Sequence, residues 1–377
     1  MLAIGSYSEK LDFVDGKGEG IYVVTKEGSR VGVPSSLVRN SSYLCTYSDA
    51  ESTNLYAVDE GDRGRVVALS STLEVLSRVD CGDSSSCFVV ATRRYVFVAN
   101  YCGGETLGSV AAVRRDEKTG ALLGEAQVLR PWEGSGVTFP RGNPQRQDKS
   151  HVHMCLALSP LKFLLAPDLG CDVVWRVGLR KAEEEEDTPL LLKGVTVACR
   201  CAEGDGPRHC AVEGNLIYVV TELSRTLQCF RDEGGDKEGT LLETVRLRPD
   251  KNATAAALRV TKKAAYCSLR VVDGEGLVVV VPLDDDGLPV AAKATSVGTD
   301  GHTPRDIQLF QRGTVLLAAN QDAHRPEDNP VVAFDVHPDS GALTRRDNNL
   351  YDTHNVKSPV CIVELPPGFL LLNHAEC

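Results

Sequence analysis

Charged side chains stand on both sides of an apolar stretch in the middle of the chain. The segment "NLIYVVTE" (215–222) is apolar and β-branched, and it predicts a buried strand that ends on Glu222. Arg208 and His209 come shortly before this strand, in a turn that contains Pro207. Arginine binds phosphate or carboxylate through a planar fork, and glutamate and histidine transfer protons. These residue types therefore indicate an anion-binding site with acid–base chemistry.

Other strand segments of the chain begin or end on polar residues in the same way. His153 and Glu222 are the candidates for acid–base catalysis, beside Arg208 and Arg270 as the anion-holding arginines. The candidates for substrate binding are Arg305, Asn100, Asn320, Gln321, His151 and Asp168. Arg208, Arg270 and Arg305 outnumber the carboxylates that can be placed near them, which favours an anionic ligand. For any single residue, an ion pair between neighbouring structural units is an equally good interpretation.

A repeated pattern predicts the elements that position these residues. An apolar strand, a turn and an alternating strand recur seven times, about every 52 residues, for example in "VFVANYCGGETLGSVAAV" and "IYVVTELSRTLQCF". Short strands at this period predict an all-β fold, a seven-bladed β-propeller with four-stranded antiparallel blades. The first repeat lacks one strand, and the C-terminal "SPVCIVEL" supplies it, so strands from both termini close the ring. Residues at matching strand ends then meet at one mouth of the central channel.

The repeats occupy the whole chain, which predicts a single propeller domain over residues 1–377. Three segments interrupt the period and predict insertion loops at about 133–150, 181–188 and 323–330.

Composition limits the classes of partner. The net charge of −11 argues against a nucleic-acid or anionic-membrane surface, and no apolar segment is long enough to span a bilayer. The thirteen cysteines show no paired CxxC motif at zinc-site spacing, so we expect neither a metal nor a cofactor. The N-terminus lacks the pattern of a secretory signal, which favours a reducing cytoplasm. Because a closed ring needs no partner to complete its core, we expect a monomer.

The motifs together resemble the lactonase family of seven-bladed propellers, which includes propeller-type 6-phosphogluconolactonases and 3-carboxy-cis,cis-muconate lactonizing enzymes. The pieces that carry the resemblance are "VANYCGG", "HVH" followed by "APDLGCDVV", "GDGPRHCAV", "YVVTELSRTL", "PRDIQLF" and "LLAANQD". The family's histidine, arginine, glutamate and second arginine match His153, Arg208, Glu222 and Arg270, with His153 favoured over His151 by its distance from "FLLAPD". One departure is "SLR", where relatives usually have "SNR", so that Leu269 replaces a polar residue.

The resemblance implies metal-independent hydrolysis of a sugar lactone, with 6-phosphoglucono-δ-lactone as the substrate and 6-phosphogluconate as the product. This is a cytoplasmic reaction of the pentose phosphate pathway. Arg208 and Arg270 would hold the phosphate or the developing oxyanion, while Glu222 and His153 would act as base and acid in either order.

Three alternatives stay open at this point. A lactonizing enzyme acting on a carboxylated muconate would also use arginines, because they bind carboxylates as well as phosphates. A non-catalytic propeller could serve as a binding platform. A calcium- or zinc-dependent lactonase would need a cluster of Glu, Asn and Asp ligands, which an arginine-rich mouth disfavours.

Overall fold

A computed structural model describes residues 1–102, 107–158, 162–180, 190–191, 195–248, 252–322, 329–346, 351–367 and 369. The insertion predicted at 181–188 and residues 323–328 of the third insertion lie outside the described residues. The first insertion, 133–150, is described and contains no strand.

Seven four-stranded antiparallel sheets are arranged as the blades of a propeller. The innermost strands, which face the central channel, are β6 (Leu44–Ser48), β10 (Ser86–Ala91), β14 (Leu156–Ala157), β18 (Pro207–Glu213), β22 (Ala253–Val260), β26 (Pro304–Phe310) and β30 (Pro359–Glu364). The second strands are β1 (Leu2–Ser6), β7 (Thr53–Asp59), β11 (Tyr95–Asn100), β15 (Phe163–Asp168), β19 (Leu216–Thr221), β23 (Ala264–Val271) and β27 (Val315–Asn320). The predicted fold class is thereby confirmed.

The outer half of each blade contains two further strands. The third strands are β4 (Gly20–Val24), β8 (Arg65–Leu69), β12 (Ser109–Arg115), β16 (Val173–Gly178), β20 (Thr226–Arg231), β24 (Leu277–Pro282) and β28 (Val331–Val336). The outermost strands are β5 (Ser29–Pro34), β9 (Val75–Asp80), β13 (Leu122–Leu129), β17 (Thr196–Arg200), β21 (Thr240–Arg246), β25 (Thr295–Gly298) and β29 (Leu343–Arg345). An extra hairpin joins β2 (Lys10–Leu11) to β3 (Val14–Asp15), and the helical elements in the described part are two 3-10 turns, Ala291–Lys293 and Gln311–Gly313.

The second strands are continuous apolar runs because both of their faces are covered by neighbouring blades. In β19 every residue is buried. Ile217 and Val219 belong to an apolar cluster with Trp175 of the preceding blade, whereas Tyr218 and Val220 pack with residues of the following blade. Alternate side chains of a strand point to opposite faces, so one strand serves two interfaces.

The two ends of the chain meet in the first blade. β30 is its innermost strand and pairs antiparallel with β1, with Ile4 opposite Ile362. The ring is therefore closed by strands from both termini, as the sequence predicted.

The cysteines behave as apolar core residues. All twelve in the described part are free thiols, and eleven of them are buried. Among the described residues, no helix has the length and apolar character required to cross a membrane.

Candidate active site

A cavity of about 830 Å³ opens at one end of the central channel. Four residues that directly follow second strands contribute to its wall, namely Glu60, Tyr101, Glu222 and Gln321, and Arg270 contributes from the end of β23. Residues at the starts of innermost strands add Cys87, Thr254 and Arg305. Matching ends of different blades converge here because every blade has the same orientation around the channel.

Three arginines surround one carboxylate at the centre of the cavity wall. Glu222 Oε1 accepts a hydrogen bond from Arg146 at 2.7 Å. Its Oε2 lies 3.0 Å from Arg208 Nε and 2.9 Å from Arg270 Nη2. Glu222 and Arg208 are each only 2% exposed, and the Glu222 amide donates to the Gly206 carbonyl at 2.7 Å. This backbone hydrogen bond therefore fixes Glu222, directly after β19, to the residue that precedes β18.

The positive charges in this cluster outnumber the negative ones. Burial alone raises the pKa of the Glu222 carboxyl, but Arg270, Arg146 and Arg208 more than offset it and hold the pKa well below its ordinary value. Burial, followed by the charge of Arg270, lowers the pKa of Arg208 to about 9. Glu222 is thus a permanent anion that neutralises only part of the surrounding positive charge.

The guanidinium groups retain unused hydrogen-bonding capacity. Arg208 donates to the Ala256 carbonyl at 2.8 Å, and Arg270 donates to the Ala255 carbonyl at 3.2 Å. The buried Nε atom of Arg270 has no hydrogen-bond partner among the described residues, whereas that of Arg208 lies against Glu222 Oε2. An anion entering the cavity can supply acceptors for this cluster.

His153 lines the same cavity as a neutral imidazole. Its amide donates to the Pro167 carbonyl at 2.9 Å, and its Nδ1 lies 3.9 Å from Cys87 Sγ. Burial, then the positive charges of Arg208 and Arg305, lower the pKa of His153 well below its ordinary value. The unprotonated ring can accept a proton at neutral pH.

A fourth arginine faces the cavity from the blade that contains β26. The Arg305 guanidinium lies 5.2 Å from the Tyr7 ring centroid and 6.0 Å from that of Phe13. In the described part of the chain it has no ion pair within 4.0 Å. Glu60 is the nearby carboxylate, and it accepts a hydrogen bond from the Tyr7 hydroxyl at 3.0 Å. Burial lowers the pKa of Arg305, but Tyr7, Glu60 and Glu222 outweigh it and raise the pKa above its ordinary value.

Neutral polar groups complete the cavity. Gln321 is buried, and its Oε1 has no hydrogen-bond partner among the described residues. Ser85, Thr254 and Thr303 add hydroxyl-bearing side chains to the lining. Together they provide donors and acceptors suited to the hydroxyl groups of a sugar.

The structure brings His153, Glu222, Arg270, Arg305 and Gln321 into the cavity lining. Arg208 does not line the cavity and reaches the site through its ion pair with Glu222. The other four predicted site residues also lie outside the lining. Asn100 donates to the Cys81 carbonyl and to Ser109 Oγ, and Asn320 donates to the Thr299 and Asn329 carbonyls. Both amides therefore hold loops at the ends of second strands. The geometry gives no support for substrate contacts by these two residues.

His151 and Asp168 stabilise the loop behind the cavity. The His151 ring stacks on Tyr101 with centroids 4.3 Å apart, and its Nε2 lies 3.1 Å from Asp148 Oδ1. Asp168 accepts five hydrogen bonds, among them one from Ser150 at 2.6 Å and one from Trp175 Nε1 at 3.0 Å. A carboxylate with this many internal donors has little capacity left for a ligand.

Leu269 is not part of the cavity. Its side chain is fully buried in an apolar cluster that includes Ala255 and Leu258. The polar group that this position lacks would lie in the core between blades.

Three residues of the site were missed by the sequence analysis. Tyr7 and Glu60 directly follow the second strands of the first two blades, and they correspond to Glu222 in the repeat. The repeat alignment could have found them, because it places them at the same mouth. Arg146 belongs to the insertion at 133–150, outside the repeat, and no pattern indicated its position.

Among the described residues there is no cluster of three His, Cys, Asp or Glu side chains arranged to hold a metal ion. The candidate site is instead a group of four arginines with two buried carboxylates and a neutral imidazole.

Comparisons with known proteins agree with this architecture. The family model "Lactonase, 7-bladed beta-propeller" matches residues 1–364. An uncharacterised protein of Staphylococcus epidermidis is 27% identical over 362 residues, which are 91% of this chain and 95% of that protein. A candidate 6-phosphogluconolactonase of Bacteroides fragilis has the same fold, with a TM-score of 0.76, 23% identity and 96% of each chain covered. The periplasmic gluconolactonase of Pseudomonas aeruginosa gives a TM-score of 0.73 at 25% identity, covering 97% of this chain and 99% of that one.

Proposed function

The chain belongs to the lactonase family of seven-bladed β-propellers, and we propose that it hydrolyses 6-phosphoglucono-δ-lactone to 6-phosphogluconate. The observation that carries this proposal is the convergence of three arginines on a cavity that also contains a neutral histidine, with a fourth arginine, Arg208, paired to the cavity's Glu222. The gluconolactonase fold of the Pseudomonas aeruginosa protein supports the choice of a sugar lactone. In this role the protein would act in the pentose phosphate pathway of the cytoplasm.

The substrate's phosphate is assigned to the more exposed arginines. Arg146 and Arg305 are only partly buried, whereas Arg208 is almost fully buried. A phosphate dianion between Arg146 and Arg305 can keep part of its hydration, which lowers the cost of its transfer from water. Its charge balances the excess of guanidinium groups over buried carboxylates.

The lactone carbonyl is assigned to Arg270, which lines the cavity, and Arg208 is assigned as the buried arginine that shares Glu222 Oε2 with it. Both arginines contact Glu222 Oε2, and each donates a further hydrogen bond to a backbone carbonyl of β22. Donors that are fixed before the reaction stabilise a developing oxyanion without reorganisation. We therefore place the carbonyl oxygen beside the Arg270 guanidinium, where the charge of Arg208 adds to the positive potential.

His153 is assigned the proton transfers. The neutral imidazole removes a proton from water, and the water oxygen bonds to the lactone carbonyl carbon to give a tetrahedral oxyanion. When the oxyanion collapses, the bond from the former carbonyl carbon to the ring oxygen breaks, and the imidazolium protonates that oxygen. Glu222 stays ionised throughout, because its low pKa makes it a poor base, and it positions the arginines.

The first experiment compares hydrolysis of freshly prepared 6-phosphogluconolactone with its spontaneous rate. We expect Arg270→Gln to lower kcat/KM at least about 100-fold, the loss typical of one oxyanion donor. Arg208→Gln is the second variant, and we expect a smaller loss, because this more deeply buried side chain acts through Glu222. The control is Arg200→Gln, a surface arginine in an ion pair with Glu238.

A chelator should leave the hydrolysis unchanged, since the three arginines that line the cavity repel a divalent ion. If the protein does not accelerate hydrolysis above the spontaneous rate, the proposal fails, and a carboxylated muconate becomes the next substrate to test.

A further inference from the structure

The hairpin β2–β3 carries an exposed aromatic residue to the cavity mouth. Phe13, in its two-residue turn, is 59% exposed and lines the cavity together with Leu11. Val272 is 56% exposed and lines the same cavity from the blade that contains β23. Large exposed apolar side chains beside a polar cavity indicate a surface that a ligand covers.

The base of this hairpin is firmly held. Val14 is buried against Tyr7 and Val360. Asn40 Oδ1 accepts hydrogen bonds from the amides of Ser8 and Glu9 at 3.0 and 3.1 Å. The exposed ring therefore stands on a preorganised support, which reduces the entropy cost of binding.

The Phe13 ring also has a defined orientation. It makes an edge-to-face contact with Tyr7, with centroids 5.6 Å apart and planes at 79°. Arg305 lies 6.0 Å from its centroid. These contacts cover only part of the Phe13 ring. The exposed part can contact a ligand whose anionic group binds Arg305.

We infer that Phe13 stacks on the six-membered ring of the substrate. A pyranose-like lactone carries hydroxyl groups around its edge and C–H groups on its faces. The hydroxyl groups match Ser85, Thr254 and Thr303, and an apolar face matches the flat ring of Phe13. This inference rests on the proposed function for its substrate class, and it assigns the hairpin to recognition of the sugar ring.

The test uses two stable ligands that share a phosphate but differ in the ring. Glucose 6-phosphate contains a pyranose, whereas 6-phosphogluconate is an open chain. Binding of each is measured by titration calorimetry to the wild-type protein, Phe13→Ala and Phe13→Tyr. Leu241→Ala is the matched control, because Leu241 is 49% exposed on β21 and does not line the cavity.

We expect Phe13→Ala to weaken glucose 6-phosphate binding about 3- to 10-fold and to leave 6-phosphogluconate binding unchanged. Phe13→Tyr and Leu241→Ala should bind both ligands like the wild type. An equal loss for both ligands would show that Phe13 acts only through Arg305 or the hairpin and would overturn the inference, as would no loss at all. If the wild type binds neither ligand, the sugar-phosphate assignment itself fails, and ring stacking fails with it.

Discussion

At the scale of single residues, the protonation state of His153 links binding to catalysis. Burial and the positive charges of Arg208 and Arg305 keep its pKa well below 6.5, so the ring is neutral over the physiological range. A phosphate bound among the arginines cancels part of that positive potential. The pKa of His153 should therefore rise when substrate binds.

This coupling predicts the pH dependence of turnover. The acid limb of kcat/KM, which reports the free enzyme, should lie below about pH 6.5, and the limb of kcat should lie at higher pH. His153→Gln should remove both limbs and lower activity about 100-fold or more, whereas His354→Gln at the surface should change neither. An acid limb of kcat/KM at or above pH 6.5, or one that survives in His153→Gln, would contradict the assignment.

Glu222 provides a second prediction at this scale, because it competes with any anion for the same arginines. Glu222→Gln keeps the shape of the side chain and removes its charge, so inorganic phosphate should bind about tenfold more tightly. Calorimetric titration with phosphate measures the change, and Glu238→Gln, an exposed partner of Arg200, is the control. If Glu222 acted only as a catalytic base, phosphate affinity would stay the same.

The repeat made part of this site predictable. Arg208, Arg270 and Arg305 occupy strand ends that the period brings to one mouth; the structure places Arg270 and Arg305 in the cavity lining and Arg208 next to it, paired with Glu222. Asn100 and Asn320 share that layer but are the last residues of their strands, and their amides turn to loop carbonyls. A one-residue shift along a strand changes the face that a side chain occupies, and the repeat alignment does not resolve that shift.

At the scale of elements, the insertion at 133–150 is the part of the site that no repeat could predict. Gln147 anchors it by donating to the Leu169 carbonyl and to Asp172, and Arg141 donates to Asp172. This anchoring brings Arg146 to Glu222 and to the Tyr101 hydroxyl. The position of Arg146 depends on these long-range contacts, which a local sequence pattern does not encode.

The insertion gives the third prediction. Because Arg146 is assigned to the phosphate, Arg146→Ala should raise the KM for 6-phosphogluconolactone about tenfold, and the KM for unphosphorylated gluconolactone should change less than about twofold. Gln145→Ala, an exposed neighbour in the same loop, is the control. Initial rates with the two lactones measure the difference, and an equal KM change for both would remove Arg146 from the phosphate site.

At the scale of the whole molecule, a repeated hydrogen bond joins successive blades. Tyr56, Tyr218 and Tyr266, each on a second strand, donate to the carbonyls of Gly120, Gly287 and Gly341 at 2.7, 2.6 and 2.9 Å. Each glycine lies in the turn before the outermost strand of the next blade and has a positive φ. These hydrogen bonds join residues 64, 69 and 75 positions apart, so a local sequence pattern could not predict them.

These bonds predict a stability effect without a loss of function. Tyr266→Phe leaves the ring packing intact and removes the hydroxyl donor, so the buried Gly341 carbonyl loses its partner. We expect the free energy of unfolding to fall by about 1–2 kcal/mol, as for other buried groups left unsatisfied.

Tyr351→Phe is the control, because the Tyr351 hydroxyl has no hydrogen bond to any described residue. Urea unfolding followed by tryptophan fluorescence measures the stability of both variants. An unchanged midpoint for Tyr266→Phe would show that the hydrogen bond contributes no net stability. Because Tyr266 lies in the interface between blades and not in the cavity, its lactonase activity should equal that of the wild type below the unfolding transition.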